Sequence, residues 1–595
     1  MINVDERFKD ASPVDTVNRI KGILADNGLE VAEAGFDSKV KNCHSSRVTI
    51  VGTNFGTNGK GVTEELASAS AHAELMERIQ AGIMFRGNLS FPDAVKMDRK
   101  MLIENCSQFY RRVGAVIEEF SQVHVSEEEM ADVTLAYDGS EFTEALPFYS
   151  VTEDKMVFVP NVLLMPLFSS TGNCAGNTPE EAIVQGVSEI VERWFQRHFL
   201  CLDLVPPTIP EEVLQNYPRA YDSILDIRRR GYDVIIKDCS MGSGYPVIAT
   251  AILDKNKHTY HVHMGASPVF EIALGRSLTE SFQGRMIDHI ADTSLSESAR
   301  TDKRAYRKAY KVGSGSYPIE FFTNNSSFPF VPFPDRTGFT NKDLLKYVVD
   351  FIKERNMHMY VRDMSHMGFC SYKVIVPDMC KEDCDFITSE LGISYLIGNT
   401  SQAELDLQNA TADQLFELQL LNLHKLNNYM VDKDPRCSKL MQLPIADTAT
   451  QDRAAALAHM AYIEWECGNK KLAMDYAAMI QAQKEYYISD FFSCFIRANA
   501  LKNTYNSLED LCDRLAMFYQ EDVVAQVKKV MEENTNPFAA FVVHCTRENG
   551  CDGCYYLKTC YVKQQRALME MVNGHIAKFD HQGAFEKLKT MFCKA

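Results

Sequence analysis

The sequence predicts a mixed α/β (α+β) N-terminal domain followed by an all-α C-terminal domain of helical hairpins. Three observations carry that expectation. The chain has 595 residues, more than one hydrophobic core usually supports. Up to about residue 380, short apolar or β-branched runs alternate with segments of helical periodicity, as in domains that pack helices on sheets. Beyond that point nearly every stretch is helix-prone and strand-like runs become rare. The predicted division is 1–420 and 421–595.

The elements follow in chain order. "SRVTIVGTN", "FVPNVLLMPLF", "YDVIIKDCS", "YPVIATAIL", "MHMYVRDM" and "SYKVIVPDM" read as strands, being short, apolar and rich in β-branched residues. "TEELASASAHAELMERIQAG", "TPEEAIVQGVSEIVERWFQRHF" and "FEIALGRSLTESFQGRMIDHI" repeat their apolar residues at helical spacing. Further on, "QDRAAALAHMAYIEWECGNKKLAMDYAAMIQAQKEYY" reads as a helix, a Gly-Asn turn and a second helix, with alanines at close-packing positions. A tetratricopeptide-like hairpin and a plain helical bundle fit it equally, because the 34-residue period of that repeat is not sustained cleanly.

Composition narrows the function classes. A net charge of −18 argues against direct nucleic-acid binding, which needs a basic surface for phosphates. Anionic ligands would instead be held by placed Arg and Lys, helix N-termini or metal ions. The opening "MINVDERFKDASPVD" lacks the apolar core of a secretory signal. The longest apolar stretches are too short and Pro-broken to span a bilayer. Seventeen mostly scattered cysteines suit a reducing compartment better than a disulfide framework. The expected location is cytoplasmic.

The most informative feature is a motif written twice. "GVTEELASASAHAELMER" begins at Gly61 and "GNTPEEAIVQGVSEIVER" at Gly176, and they align without a gap. They share Gly61/Gly176, Thr63/Thr178, Glu65/Glu180, Glu74/Glu189, Glu77/Glu192 and Arg78/Arg193. Residues three apart share a helix face, so Glu74 projects with Glu77 and Glu189 with Glu192. Adjacent carboxylates backed by apolar residues repel and resist burial unless a cation sits between them. A single Glu-x-x-Glu is most simply a solvated face, but solvated charge has no reason to repeat in register. Two such helices facing each other gather four carboxylates, a hard oxygen site suited to Mg2+ and a nucleotide phosphate.

A third helix, "LGRSLTESFQGR", places Arg276 and Glu280 four apart on one face, adding a carboxylate and a guanidinium suited to bidentate phosphate contact. "NFGTNGKGV" imitates a P-loop but has Asn54 in place of the first Gly and Gly61 where Ser or Thr should follow the Lys. A nucleotide site here is not of the Walker type.

"SASAHAELMER", "AGNTPEEAIVQGVSEIVER" and "RSLTESFQGR", in that order, resemble the three ATP-binding motifs of the YcaO family. The opening "FKDASPVDTVNRI" fits as well, and the likeness spans most of residues 1–380. It implies a YcaO-like fold with Glu74, Glu77, Glu189, Glu192 and Glu280 as Mg2+ ligands. It implies Lys9, Thr16, Ser70, Asn177, Gln185, Arg193 and Arg276 as nucleotide contacts, with Arg193 and Arg276 also clamping the transferred phosphoryl group as catalytic residues. The chemistry implied is ATP-dependent activation of a backbone amide: a nucleophile adds to the carbonyl and the oxyanion attacks the γ-phosphate. Loss of phosphate then leaves an azoline or, with external sulfur, a thioamide.

The helical C-terminal region resembles that of a long YcaO subgroup with a tetratricopeptide-like extension. Members of that subgroup are described as accessory to β-methylthiolation of a small-subunit ribosomal protein. The resemblance therefore implies ATP, a peptide or ribosomal protein substrate and a methylthiotransferase as partners, and it admits a homodimer. Azoline-forming members typically end in a Pro-rich tail, whereas this sequence ends "FEKLKTMFCKA". The likeness thus points to ATP use more strongly than to ring closure. The competing expectation is an adaptor that recruits a sulfur-inserting enzyme through its helical region and keeps only a regulatory nucleotide site.

One cluster stands apart from these motifs. Cys545, Cys551, Cys554 and Cys560 fall within "CTRENGCDGCYYLKTC", dense enough for an iron–sulfur cluster or a tetrahedral Zn2+ site. Spacing alone does not choose between the two or exclude ordinary reduced thiols.

Overall fold

The structure, a computed structural model, describes residues 7–53, 55–83, 89–121, 124–138, 141–290, 293–294, 315–380, 461, 465, 470–481, 490–540 and 562–594. The chain divides into two compact units, one of Met1–Leu391 with Gln564–Ala595 and the other of Gly392–Lys563. The boundary expected at 420/421 and the four clustered cysteines lie outside the described residues.

The first unit begins with α1 (Pro13–Asp26), β1 (Val31–Asp37), β2 (His44–Ile50), β3 (Gly56–Gly61) and α2 (Glu64–Gln80). Next come β4 (Val95–Met97), α3 (Arg99–Ser121), α4 (Glu127–Asp138), β5 (Thr143–Ser150), β6 (Lys155–Pro160), α5 (Asn161–Phe168) and β7 (Asn173–Gly176). They lead into α6 (Pro179–Cys201), α7 (Glu211–Leu214), α8 (Pro218–Arg229), β8 (Asp233–Asp238), β9 (Val247–Asp254) and β10 (Thr259–Ala266). The run closes with α9 (Phe270–Ser281), β11 (Thr293–Ser294), α10 (Asn341–Lys353), β12 (Tyr360–Asp363) and β13 (Cys370–Ile375).

These strands form three sheets, in the orders β1-β2-β3, β11-β10-β9-β8 and β4-β5-β12-β13-β7, with β6 also on β5. The strand pairs are antiparallel throughout, for example Val48↔Thr57 between β2 and β3 and Tyr372↔Cys174 between β13 and β7. The fold is therefore mixed α/β of the α+β kind, as the alternating pattern predicts. α6 is the central helix, with Ile183, Val187, Val191 and Phe195 buried in a core shared with β10, β13 and α10.

Two sequence expectations are corrected. "FVPNVLLMPLF" is not a strand throughout: β6 ends at Pro160, and Asn161–Phe168 is helical. Leu163 and Leu167, one turn apart, are buried together, and a continuous apolar run does not distinguish a strand from a buried helix. The helix expected through Ile290 stops at Ser281, and Gly284 takes a positive φ of 69°, which favours glycine and ends a helix.

In the second unit the described helices are α11 (Lys470–Gln481), α12 (Asp490–Leu501), α13 (Leu508–Leu515) and α14 (Glu521–Glu533). Phe495, Ala498, Leu511, Leu515, Val524 and Val527 form its core. The Ser507 side chain caps α13 by accepting from Asp510 N. α11 is the second arm of the expected hairpin, and most of the first arm lies outside the described residues.

The last helices are α15 (Val562–Ile576) and α16 (His581–Lys594), and from Gln564 onward the chain belongs to the first unit. Val572 and Ile576 are fully buried beside α2 and α3 residues, and Phe585 and Phe592 pack on Tyr149 of β5. Among the described residues, no helix is long and apolar enough to cross a membrane.

Candidate functional site

The doubled motif is a doubled strand–cap–helix unit. Gly61 ends β3 and Gly176 ends β7. Thr63 and Thr178 then cap α2 and α6, their hydroxyls accepting from Leu66 N at 3.2 Å and Glu181 N at 3.3 Å. Each cap satisfies a backbone N–H that the first helical turn leaves unpaired. The glycines allow strand and helix to meet closely. A Cβ at Gly61 would lie 2.6 Å from Ala67 N, and one at Gly176 3.0 Å from Ala182 N. With both ends fixed in this way, the shared Glu-x-x-Glu-Arg falls at the same place along each helix.

α2, α6 and α9 enclose a cleft of about 590 Å³. Lys9, Thr16, Ser70, Glu74, Glu77, Asn177, Gln185, Glu189, Glu192, Arg193, Arg276 and Glu280 all line it. Every candidate read from the three motifs and the N-terminal segment is thus brought to one cavity.

Near the amino-terminal ends of the cleft helices, the polar groups form a connected set. The Glu181 carboxylate accepts from Lys9 Nζ at 3.1 Å, Asp10 N at 3.0 Å, Asn177 N at 3.3 Å and Asn177 Nδ2 at 3.2 Å. Thr16 donates to Asn177 Oδ1 at 3.0 Å. Sequence reasoning missed Glu181, although Thr178-x-x-Glu181 has the form of a capping box. Its side chain reaches past the cap residue to hold Lys9 and Asn177 in place.

Deeper in the cleft the carboxylates dominate. Arg78 Nη2 contacts Glu74 Oε1 at 3.2 Å, and its Nε lies 3.7 Å from Glu77. Arg193 lies 3.9 Å from Glu192 and donates to Gln196 at 3.3 Å, while its buried Nε has no hydrogen-bond partner among the described residues. Arg276 donates to Ala266 O at 2.8 Å, which ties it to the end of β10.

Burial pushes the Glu77 carboxyl up to about 8 against the opposing pull of Arg78, with Glu74 and Glu189 adding repulsion. Burial likewise pushes Glu192 up to about 7 against Arg193, with Glu280 and Glu189 repelling. Glu189 acts on both, so the two groups converge. Burial opposes ionisation of Glu280 too, but Lys60, His263 and Arg193 outweigh it and hold its pKa below the usual carboxylate value.

Lys60 and Lys373 were also missed by sequence reasoning. Lys60 of β3 pairs with Glu280. Lys373 of β13 donates to Ser169 O and Thr171 O, both at 3.1 Å. Burial lowers its pKa to about 8, against the attraction of Glu189 and Glu77. Lys60 sits in weakly patterned sequence, whereas Lys373 lies in the strand read from "SYKVIVPDM", but nothing in either segment marks the lysine as part of a site.

Among the described residues, no three His, Cys, Asp or Glu side chains are gathered closely enough to enclose a metal ion unaided. That arrangement still fits Mg2+, which is typically held by one or two carboxylates and completed by substrate phosphates and water. The donors are all carboxylate oxygens, and burial, aided by neighbouring carboxylates, holds Glu77 and Glu192 above the usual carboxylate range, so a bound cation would favour their ionised forms. No comparable donor set for an iron–sulfur cluster or Zn2+ occurs among the described residues.

Six carboxylates and five cations line one cleft, the make-up of a phosphate-binding site completed by a divalent ion. The chain belongs to the YcaO family: residues 58–380 match the family model described as YcaO cyclodehydratase, ATP- and Mg2+-binding. It is 28% identical over 387 residues to the ribosomal protein S12 methylthiotransferase accessory factor YcaO of Escherichia coli. That match covers 62% of this chain and 65% of the relative's length. An uncharacterized protein of Haemophilus influenzae is 24% identical over 558 residues, covering 89% of this chain and 92% of that one.

Among solved structures, a heterocyclase in complex with substrate and cofactor is similar at a TM-score of 0.44 and 18% identity, covering 64% of this chain and 55% of its own. YcaO from Methanopyrus kandleri, bound with AMPPCP and Mg2+, is similar at a TM-score of 0.38 and 17% identity, covering 63% and 93%.

Proposed function

We propose that this chain binds ATP with Mg2+ in the cleft between α2, α6 and α9 and serves as an ATP-dependent accessory factor in β-methylthiolation of a small-subunit ribosomal protein; activation of a backbone amide by phosphorylation is the alternative use of the same site. The observation that carries the proposal is the convergence of twelve motif-derived residues on one cavity. Similarity to the Escherichia coli accessory factor supports the choice of substrate class.

In this reading Glu74, Glu77, Glu189, Glu192 and Glu280 supply the carboxylates for Mg2+, one or two to an ion, with phosphate oxygens and water completing its shell. Bound there, Mg2+ would neutralise charge on the phosphates. Lys9, Thr16 and Asn177, fixed through Glu181, orient the nucleotide, with Ser70 and Gln185 contacting it from α2 and α6. Arg193 and Arg276 face the transferred phosphoryl group, where a guanidinium gives two directed hydrogen bonds to charge developing on oxygen. The low polarity of the buried helix faces behind them strengthens those contacts relative to water.

The helical second unit is proposed to engage the protein partner, because the cleft residues all belong to the first unit. The test is mass spectrometry of ribosomal proteins from cells with and without this chain. A methylthio mass increment on one small-subunit protein, lost without the chain and not restored by Glu192→Gln, is expected. An unchanged increment in its absence would refute the proposal.

A further inference from the structure

Lys60 lines the cleft but has no part in the assignments above. Lys60 is on β3, in register with Ser45 of β2, and the tight seat of that strand under α2 fixes where its side chain starts. The ammonium crosses to α9 and pairs with the Glu280 carboxylate. Lys60 and Glu280 are 26% and 19% exposed, open enough to exchange partners but too enclosed for water alone to screen the carboxylate. Glu74 attracts the same ammonium and Arg276 repels it.

A carboxylate engaged by an ammonium is a poor ligand for a dication, since the two cations repel at contact distance. Metal binding at Glu280 therefore requires Lys60 to leave. A lysine can do so, because it carries its charge as a point on a flexible four-carbon stem, unlike the planar fork of Arg193. The same cleft offers it a new partner when phosphate oxygens enter.

We propose that Lys60 is a displaceable counter-ion: it neutralises Glu280 in the metal-free protein and passes to a phosphate oxygen of the ligand when Mg2+ and nucleotide bind. This rests on the reading of Glu280 as a Mg2+ ligand. Two opposite consequences follow for Lys60→Met in the full chain. Removing the competing ammonium tightens binding of Mg2+ alone about tenfold, and removing the phosphate partner weakens binding of a Mg2+-bound non-hydrolysable ATP analogue about tenfold, the scale of one close charge pair.

The experiment is calorimetric titration of wild type, Lys60→Met and Lys60→Arg, first with MgCl2 and then with the analogue at saturating Mg2+, alongside thermal melts. Opposite movement of the two affinities in Lys60→Met, with nucleotide affinity largely restored in Lys60→Arg, is the expected result. Unchanged affinities, or both weakened together, would overturn the exchange. Should Lys60→Met fail to melt cooperatively, Lys60→Gln carries the same test. If wild type binds Mg2+ but no nucleotide, the proposed function fails, and the MgCl2 titration still decides whether Lys60 competes with the ion.

Discussion

α2 and α6 share a motif but not an environment. Both start from a glycine and a threonine cap, and both carry Glu-x-x-Glu-Arg at the same distance from that cap. On α2, Arg78 is engaged by both motif carboxylates, at 3.2 and 3.7 Å. On α6, Arg193 stands 3.9 Å from Glu192, and its buried Nε is unpartnered among the described residues. The first arginine is committed to holding its carboxylates together. The second keeps an unused donor beside the cleft. In the proposed function, the duplicated sequence thus gives one arginine a structural task and the other a binding task.

The largest expected effect comes from separating those tasks. Arg193→Met should lower affinity for the Mg2+-bound ATP analogue about 100-fold, as expected for loss of a charge-assisted, two-pronged contact, well beyond any loss of urea stability from its 3.9 Å approach to Glu192. Arg78→Met should do the reverse, costing about 2 kcal/mol of stability because two part-buried carboxylates lose their partner, with less than a tenfold change in affinity. Equal affinity losses in the two variants would erase the distinction.

A pH series sharpens the comparison. Burial raises Glu77 and Glu192 from the usual 4.5 to about 8 and about 7. Between pH 4.5 and those values the folded metal-free protein holds protons that the unfolded chain has released. Stability from these groups is therefore full below about pH 4.5 and declines as pH rises, up to about 7 for Glu192 and about 8 for Glu77. Mg2+ needs the ionised forms, so the stabilisation it gives in thermal melts should grow from pH 6 to pH 8.5. Glu77→Gln should remove the decline above about pH 7 and lessen it below, whereas Glu192→Gln should lessen it only below about pH 7. A metal-free melting temperature independent of pH over this range would contradict the assignment.

The smallest expected effects are at the caps. Thr63→Ala and Thr178→Ala should each cost about 1 kcal/mol in urea unfolding. Thr178→Ala should cost slightly more, because its hydroxyl also meets Asp10. A reversed order would show that the α2 cap is the more important of the two.

What the sequence revealed follows from periodicity. Glu74, Glu77, Glu189 and Glu192 were legible because helical spacing forces residues three apart onto one face, and α2 and α6 formed within two residues of the expected limits. The third motif helix came out shorter because Gly284 breaks it. β3 was illegible: "GTNGKG" has almost no strand-forming residues, and it is a strand because β2 supplies its hydrogen bonds and α2 covers it. Lys60 was hidden for the same reason, in a segment notable mainly for failing as a P-loop. Glu181 carried a local signal, the capping-box spacing, but its partners Lys9 and Asp10 lie more than 170 residues away in sequence. No local pattern encodes such a contact.

The central claim is that carboxylates from α6 and α9 bind Mg2+ together with ATP. Calorimetry of the full chain with a non-hydrolysable ATP analogue, with and without MgCl2, tests it most directly when wild type is compared with Glu192→Gln and Glu280→Gln. Wild type should bind tightly only with Mg2+, and each variant should lose at least tenfold in affinity while melting cooperatively, the loss expected for one charged ligand in a part-buried site. Mg2+-independent binding of the same strength in all three proteins would contradict it.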